Sequence, residues 1–357
     1  MKAVVLVGGE GTRLRPLTLD TPKQLLAVVE VRMIERVLGH LAAHGVDEAV
    51  LSLGYRPDAF LSAYPDGKAC GVRLMYAVDP LPLDTGGAIR FAATEAEVEE
   101  TFLAVNGDVL TDADLSALVA FHRRIGAETT IHLAPVADPS AFGVVTTDGE
   151  GRVQAFLEKP GPPYPSRFIN AGTYVMEPSV LARIPAGGPV SVERDTFPSM
   201  VADGALWAWA SDAYWVDAGT LPSYLAACKD LISGVRGTPP APGARDLGGG
   251  RWATGSPVID GEIAGPALVA DAAFVAREAR VSGSVVGIGA RIEGGALVEG
   301  SVVMAGAVVG AGAVVEGSIV GEGARVGSKA WLSDLCVVGN RVTVADGVRA
   351  SGARMGP

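Results

Sequence analysis

Residues 1–25, MKAVVLVGGEGTRLRPLTLDTPKQL, decide how the first part of the chain is read. An apolar run over residues 3–7 empties into Gly8-Gly9-Glu10-Gly11-Thr12-Arg13, and Lys23 follows ten residues later. A strand ending in a Gly-rich turn is how an α/β fold brings backbone N–H groups up to phosphate oxygens, because glycine permits tight turns and close approach. Arg13 and Lys23 add the positive charge a polyphosphate needs. The spacing is neither the G-x-G-x-x-G of dinucleotide folds nor the G-x-x-x-x-G-K-[ST] of P-loops. On its residues alone, the stretch reads equally as a phosphate-binding turn and as an ordinary tight turn.

Working outward, residues 1–235 read as an α/β domain. Apolar runs at 3–7, 48–53, 72–77, 101–105, 129–135, 143–147, 154–158 and 171–176 are strand candidates. Residues 33–43 carry Ile34, Val37, Leu38 and Leu41 at the spacing of one helix face, and 88–98, 112–124 and 224–232 read similarly. Asp112 or Asp114 can cap the third of these helices. Alternating strands and helices predict a Rossmann-like mixed, mostly parallel sheet with ligands at the carboxyl ends of its strands. Residues 236–257, containing PP, PGAR and GGG, are turn-rich without a periodic face and read as a linker.

From residue 258 to 357 the pattern changes. Aliphatic residues recur at Val269, Val275, Val281, Val286, Ile292, Val298, Val303, Val309, Val315, Val320 and Val326, in steps of 6, 6 and 5 that repeat every 17 residues. The series reaches back to Val258 and Ile263 and forward through Leu332, Val337, Val342 and Val348, with one short step. Valine and glycine at this density disfavour helices. The repeat predicts a parallel β-helix of about five coils, each with three short strands and one inward aliphatic per strand.

Composition narrows the function. A chain of 357 residues with 48% hydrophobic residues is expected to form two globular domains. The net charge of −11 argues against nonspecific binding of nucleic acid or anionic membrane, so an anionic substrate needs a local basic cluster. Three widely spaced cysteines, Cys70, Cys228 and Cys336, point to a reducing compartment. The five apolar residues after Lys2 are too few for a signal segment or a membrane span, and a cytoplasmic protein is the expectation. The faces and ends of a β-helix invite self-association, so a homo-oligomer is expected.

Several other motifs can carry chemistry. Asn106-Gly107-Asp108 follows an apolar run, and Asp217 lies in the apolar setting Tyr214-Trp215-Val216-Asp217-Ala218-Gly219. Two such carboxylates converging on one Mg²⁺ would give it hard oxygen ligands and leave places for phosphate oxygens and water. The same residues also make two unrelated turns. Glu158-Lys159-Pro160 and Asn170-Ala171-Gly172 offer an ammonium for phosphate and a carboxylate and amide for sugar hydroxyls; a surface ion pair is the plainer alternative. Pro82-Leu83-Asp84-Thr85-Gly86-Gly87 precedes a helix and reads as a loop whose glycines admit a flat ligand, or as ordinary architecture. Acyl transfer by the β-helix is disfavoured, since no histidine follows His132 to act as base.

Together GGEGTRLRPLT, Pro22-Lys23, NGD, FLEKP, NAG and WVDAG, in this order, resemble the sugar-1-phosphate nucleotidyltransferases over essentially the whole chain. The subgroup most similar is the mannose-1-phosphate guanylyltransferases, whose C-terminal domain is a left-handed parallel β-helix; residues 329–349 are similar to the corresponding stretch. The resemblance implies transfer of a nucleotidyl group from a triphosphate, GTP favoured, to a sugar 1-phosphate, mannose 1-phosphate favoured, with Mg²⁺. It implies that Leu6, Gly8, Gly9, Gly11, Thr12, Arg13, Lys23, Gly86, Gly87 and Asp108 contact the nucleotide, with Arg13, Lys23 and Asp108 catalytic. It further implies that Gly143, Glu158, Lys159 and Asn170 hold the sugar phosphate and that Asp108 and Asp217 bind the metal. Gln24 stands where the family commonly has proline, Asp84 where it commonly has glycine, and Arg32 where it commonly has proline. Lys23-Gln24-Leu25 is more similar to glucose-1-phosphate thymidylyltransferases. Thymidylyl, uridylyl or adenylyl transfer to glucose 1-phosphate, or guanylyl transfer to another sugar or cyclitol phosphate, is therefore the alternative. A catalytically silent relative would have lost the Gly8–Arg13 turn or Asp108, and neither is lost.

Overall fold

In the computed structural model, residues 1–79 and 81–357 are described. They divide into two compact units, residues 1–9 with 34–216 and residues 10–33 with 217–357. In chain order the first strands are β1 (Lys2–Leu6), β2 (Ala27–Val28), β3 (Val31–Arg32), β4 (Glu48–Leu53), β5 (Lys68–Ala69), β6 (Val72–Val78) and β7 (Phe102–Asn106). There follow β8 (Val109–Thr111), β9 (Thr129–Pro135), β10 (Gly143–Thr147), β11 (Val153–Glu158), β12 (Phe168–Met176), β13 (Leu206–Ala210) and β14 (Trp215–Asp217). The helices are α1 (Met33–Ala43), α2 (Pro57–Ala63), α3 (Asp84–Glu95), α4 (Leu115–Ile125), α5 (Phe197–Ala202) and α6 (Leu221–Ser233).

The first unit is built on a ten-stranded mixed sheet in the order β11-β10-β12-β7-β1-β4-β6-β5, with β9 pairing to both β12 and β13. Its parallel part comprises β7-β1-β4-β6 together with β13 on β9. The remaining pairings are antiparallel, and two of them, β5–β6 and β10–β11, join consecutive strands through connections too short for a helical crossover. The expected faces are buried: Val4 and Val5 of β1, and Ile34, Val37, Leu38 and Leu41 of α1. Asp114 caps α4 by accepting the Ala117 N–H at 2.9 Å, and Gly126 ends that helix at φ +68°. Strand β13, with the sequence LWAWA, was not anticipated. Since β1, β4, β6 and β7 are parallel neighbours, the segments leaving their carboxyl ends emerge along one edge of the sheet.

The second unit contains a parallel β-helix, consistent with the left-handed form, whose strands stack into sheets of eight, six and six. Those two six-stranded faces make it one coil longer than expected. The inward residues from Val269 to Leu332 are those the repeat predicts, and all are at most 2% exposed. Stacked serines mark one corner: Ser301 N–H donates to Ser284 Oγ at 2.9 Å and Ser318 N–H to Ser301 Oγ at 3.0 Å.

Both ends of the series need correction. At the start Ile259, not the exposed Val258, packs toward the core. At the end the columns of Val320, Val326 and Leu332 continue in Val338, Val344 and Ala350, while Val342 and Val348 stand one column aside and still pack against the core. From Leu268↔Val285 through Val315↔Leu332 strand partners are 17 residues apart, after Val258↔Phe274 at 16 and Ile263↔Val281 at 18, and they are 18 apart for Ile319↔Val337, Arg325↔Thr343 and Trp331↔Arg349. The extra residue sits where earlier coils turn on one left-handed glycine, Gly283, Gly300 or Gly317; here two residues, Asp334 and Leu335, take positive φ. A longer corner resets the register, and Val342 and Val348 fall in the columns held by Ala324 and Ala330 in the coil before. The expected linker is also partly structured: Arg245–Gly248 and Arg251–Ala253 form a hairpin, and the latter pairs in parallel with Ala267–Val269 of the β-helix. Gly248, Gly249 and Gly250 make its turn, which is why the stretch lacked periodicity.

Candidate active site

In the first unit, four parallel strands deliver candidate groups to one edge. After β1, Gly8 passes so close to Gly54, which follows β4, that a Cβ on Gly8 would lie 3.1 Å from the Gly54 nitrogen. Leu6 accepts the Gly107 N–H through its carbonyl at 3.0 Å, fixing the turn that carries Asp108 after β7. Asp108 is buried, 8% exposed, and leads into β8, which pairs with β14. Asp217, the last residue of β14 and the first of the stretch that belongs to the second unit, accepts the Gly219 N–H at 2.7 Å.

The sugar-phosphate candidates gather on β10, β11 and β12. Gly143 lies directly across from Glu158 in the β10–β11 register. A Cβ on Gly143 would come within 2.7 Å of the Phe156 ring and 3.0 Å of Glu158 Oε2, so only glycine leaves the carboxylate its place. Lys159 is held at φ +47°, its N–H donates to Phe142 O at 3.1 Å, and its Nζ lies 3.4 Å from Glu158 Oε1. Asn170 sits at a break in the β12–β9 register, where a bulge re-aims side chains. Its amide donates to the buried Tyr174 hydroxyl at 2.9 Å and accepts from the Gly172 N–H at 3.1 Å.

Gly86 and Gly87 are not in a loop. They lie buried in the first turn of α3, and both N–H groups donate to Val190 O, at 2.8 and 3.1 Å. A Cβ on Gly86 would lie 3.0 Å from Val190 O, and one on Gly87 3.0 Å from Gly188 O. The space their glycines leave is filled by the chain's own backbone. Asp84 stands at φ +55° with its carboxylate accepting the Thr85 N–H at 2.8 Å, one of the few side chains that tolerates a left-handed position.

In the second unit, the rest of the Gly-rich turn meets Lys23. Gly11 takes φ +66° and precedes the 3₁₀ turn Thr12–Leu14, which contains Arg13. A Cβ on Gly11 would lie 3.0 Å from Lys23 Cβ and 3.1 Å from Thr18 Cγ2, and Thr18 Oγ donates to Gly11 O at 2.7 Å. Two cationic residues ten apart in sequence are thereby carried on touching segments. Gln24 beside Lys23 is 1% exposed, and its Oε1 has no hydrogen-bond partner among the described residues.

Two carboxylates escaped the sequence reading. Asp79 follows β6, lies near Gly8 and Gly54, and accepts from the Ser52 hydroxyl at 3.3 Å; burial pushes its carboxyl up to about 6. Its place just past an apolar strand was the available signal. Glu193 accepts from Thr85 Oγ at 2.6 Å and Ser191 Oγ at 2.9 Å, and burial, with the nearby Glu158 charge adding, raises its pKa against those hydrogen bonds. It sits in a single π-helical turn, 192–196, that no periodicity announces.

In the first unit a Gly-rich turn leaves the first strand, Asp79 and Asp108 follow β6 and β7, and the Glu158–Lys159 pair lies on the same sheet. The sequence matches the nucleotidyl transferase family over residues 2–234 and the GMPPB C-terminal domain family over residues 263–357. The chain belongs to the nucleotidyl transferase family. It is similar to the mannose-1-phosphate guanylyltransferase of Mycobacterium tuberculosis, 41% identical over 291 residues covering 81% of this chain and 75% of that protein. It is also similar to the catalytic subunit beta of mannose-1-phosphate guanylyltransferase from Dictyostelium discoideum, 37% identical over 243 residues, 67% of each chain. Among solved structures, HddC from Yersinia pseudotuberculosis, also solved complexed with GMP-PN, matches with a TM-score of 0.56 and 26% identity, covering 64% of this chain and 99% of that one.

Proposed function

We propose that this protein transfers the guanylyl group of GTP to mannose 1-phosphate, forming GDP-mannose and pyrophosphate. The observation that carries the reading is the contact of Gly11 with Lys23, which sets a lysine beside the Gly-rich turn and Arg13. The names of the relatives and the GMP-PN complex of the fold neighbour support guanine and mannose. Gln24 favours the second reading, thymidylyl transfer to glucose 1-phosphate.

In this reading a phosphate oxygen of the sugar 1-phosphate attacks the α-phosphorus in line. One P–O bond forms, the bond from the α-phosphorus to its bridging oxygen breaks, and pyrophosphate leaves. A phosphate dianion is already nucleophilic, so the protein's contribution is positioning and charge neutralisation. Leu6, Gly8, Gly9, Gly11 and Thr12 form the phosphate turn, with Arg13 and Lys23 neutralising charge on the departing oxygens. Gly143, Glu158, Lys159 and Asn170 orient the sugar phosphate. Gly86 and Gly87 serve the base side by letting α3 and residues 188–192 close together. Asp108, which precedes β8, and Asp217, the last residue of β14, are hard carboxylates of the kind Mg²⁺ takes. Among the described residues no three acidic, His or Cys side chains gather for a metal, so the cation would depend on phosphate oxygens and water for the rest of its shell. When bound, Mg²⁺ supplies charge stabilisation for the phosphates. The three cysteines form no disulfide among the described residues, which fits a cytoplasmic setting, and no helix among those residues is long and apolar enough to cross a membrane. Self-association is supported by the last β-helix strands, Thr343–Val344 and Arg349–Ser351, which end their sheets.

Lys23→Ala tests the carrying observation. It should lower kcat by about 10²–10³, the loss typical for one donor to a developing charge, with KM for mannose 1-phosphate little changed. Activity within a few-fold of the parent enzyme would remove Lys23 from the reaction.

A further inference from the structure

The β-helix reaches back to the phosphate turn. In its last full coil, the Asn340 side-chain amide donates to Leu17 O at 3.1 Å and to Asp20 Oδ1 at 2.8 Å, while its Oδ1 accepts the Glu322 N–H at 3.1 Å. The next residue, Arg341, pairs with the other Asp20 oxygen. Leu17 and Asp20 lie between Arg13 and Lys23 on the segment that carries both cations. A second contact lies further along the same segment: at the tip of the β2–β3 hairpin, Glu30 accepts the Ile288 N–H. By coil register Ile288, Glu322 and Asn340 occupy one column of the β-helix.

The repeat itself sets Arg341 apart. Gly289, Gly306 and Gly323 hold its place in three preceding coils, all at positive φ, and Ala272 holds it in the first. Arg341 keeps that conformation at φ +60°, at a steric cost glycine avoids. An exposed ion pair contributes little by itself. The Asn340 amide is different, because both its ends are engaged and it ties two segments 320 residues apart. Together the two side chains satisfy both oxygens of Asp20.

We propose that Asn340 and Arg341 are positioning residues for nucleotidyl transfer, clamping residues 17–20 so that Arg13 and Lys23 are held for the triphosphate. The proposal rests on the transferase reading above and assigns the β-helix a part in it. Arg13 and Lys23 serve the nucleotide, whereas the sugar-phosphate residues belong to the other unit. Loosening the clamp therefore affects one substrate selectively.

Arg341→Gly installs the residue the repeat uses at this turn, so the β-helix is expected to keep its melting temperature. Asn340→Ala removes the amide. Each variant should lower kcat/KM for the nucleotide by about ten- to a hundredfold, since a 1 Å misplacement of a catalytic group can cost about 10²-fold. KM for the sugar phosphate should stay constant, and Arg341→Lys should recover most of the loss. Hydrogen exchange read in peptides covering residues 10–25 should accelerate in Arg341→Gly and Asn340→Ala. Unchanged exchange overturns the clamp, as does unchanged nucleotide kinetics or an equal rise in both KM values. If the parent enzyme releases no pyrophosphate from any substrate pair, the transferase reading fails separately, and exchange alone decides whether residues 17–20 are clamped.

Discussion

Gln24 shows at the level of a single residue what a site can ask of a fold. Its side chain is shut away from solvent with one oxygen unpaired among the described residues, and leaving a buried acceptor unsatisfied costs about 1–3 kcal/mol. Gln24→Leu should therefore raise the melting temperature, while any fall in nucleotide affinity would mark the amide as a ligand contact. A lowered melting temperature would show that the oxygen has a partner in solution. Individual residues were unevenly legible. Gly8 and Gly11 stood out because a Gly-rich run after an apolar strand is visible in a sequence, whereas Gly143 came only with the resemblance; each proves to be a point of backbone or side-chain approach. Gly86 and Gly87 looked the same but open α3, and their N–H groups meet Val190. Whether a glycine admits a ligand or the protein's own backbone depends on segments a hundred residues away. Glu193 was missed for a related reason: only folding brings Thr85 to it.

Among the elements, the β2–β3 hairpin makes the clearest electrostatic prediction. Burial raises the Glu30 carboxyl to about 7 from 4.5, against the opposing Ile288 hydrogen bond. A raised folded-state pKa contributes stability that is fully present below pH 4.5 and is lost as pH rises through about 7. Glu30→Gln should then match the parent protein in thermal stability at pH 4 and exceed it at pH 8. An equal melting difference at both pH values would show that Glu30 titrates normally. Periodic elements were read well. The bounds of α1, β4, β9 and β10 coincide with the predicted 33–43, 48–53, 129–135 and 143–147, because each has an uninterrupted apolar period bounded by turn residues. The β-helix was legible until its corner lengthened at Asp334 and Leu335. Beyond that point Val342 and Val348 kept an apolar rhythm in the wrong column, since alternating aliphatics conceal a one-residue slip.

On the scale of the whole molecule, the division into units was not legible. Residues 10–33 are continuous with the first strand yet group with residues 217–357, through contacts such as Tyr224 donating to Ala27 O and Asn340 to Asp20. Local periodicity carries no information about such pairings. The stacked coils share one narrow core, so damage at one level spreads. Val309→Asp puts a charge at a position 0% exposed and should abolish cooperative unfolding of the β-helix together with nucleotide binding. Melting like the parent protein would contradict the observed stacking.

The most direct test of the central claim is pyrophosphate release with Mg²⁺, measured for each of GTP, dTTP, UTP and ATP against a panel of sugar 1-phosphates. The account predicts the highest kcat/KM for GTP with mannose 1-phosphate. Preference for dTTP with glucose 1-phosphate would contradict the guanylyl assignment, and no release from any pair would contradict nucleotidyl transfer itself.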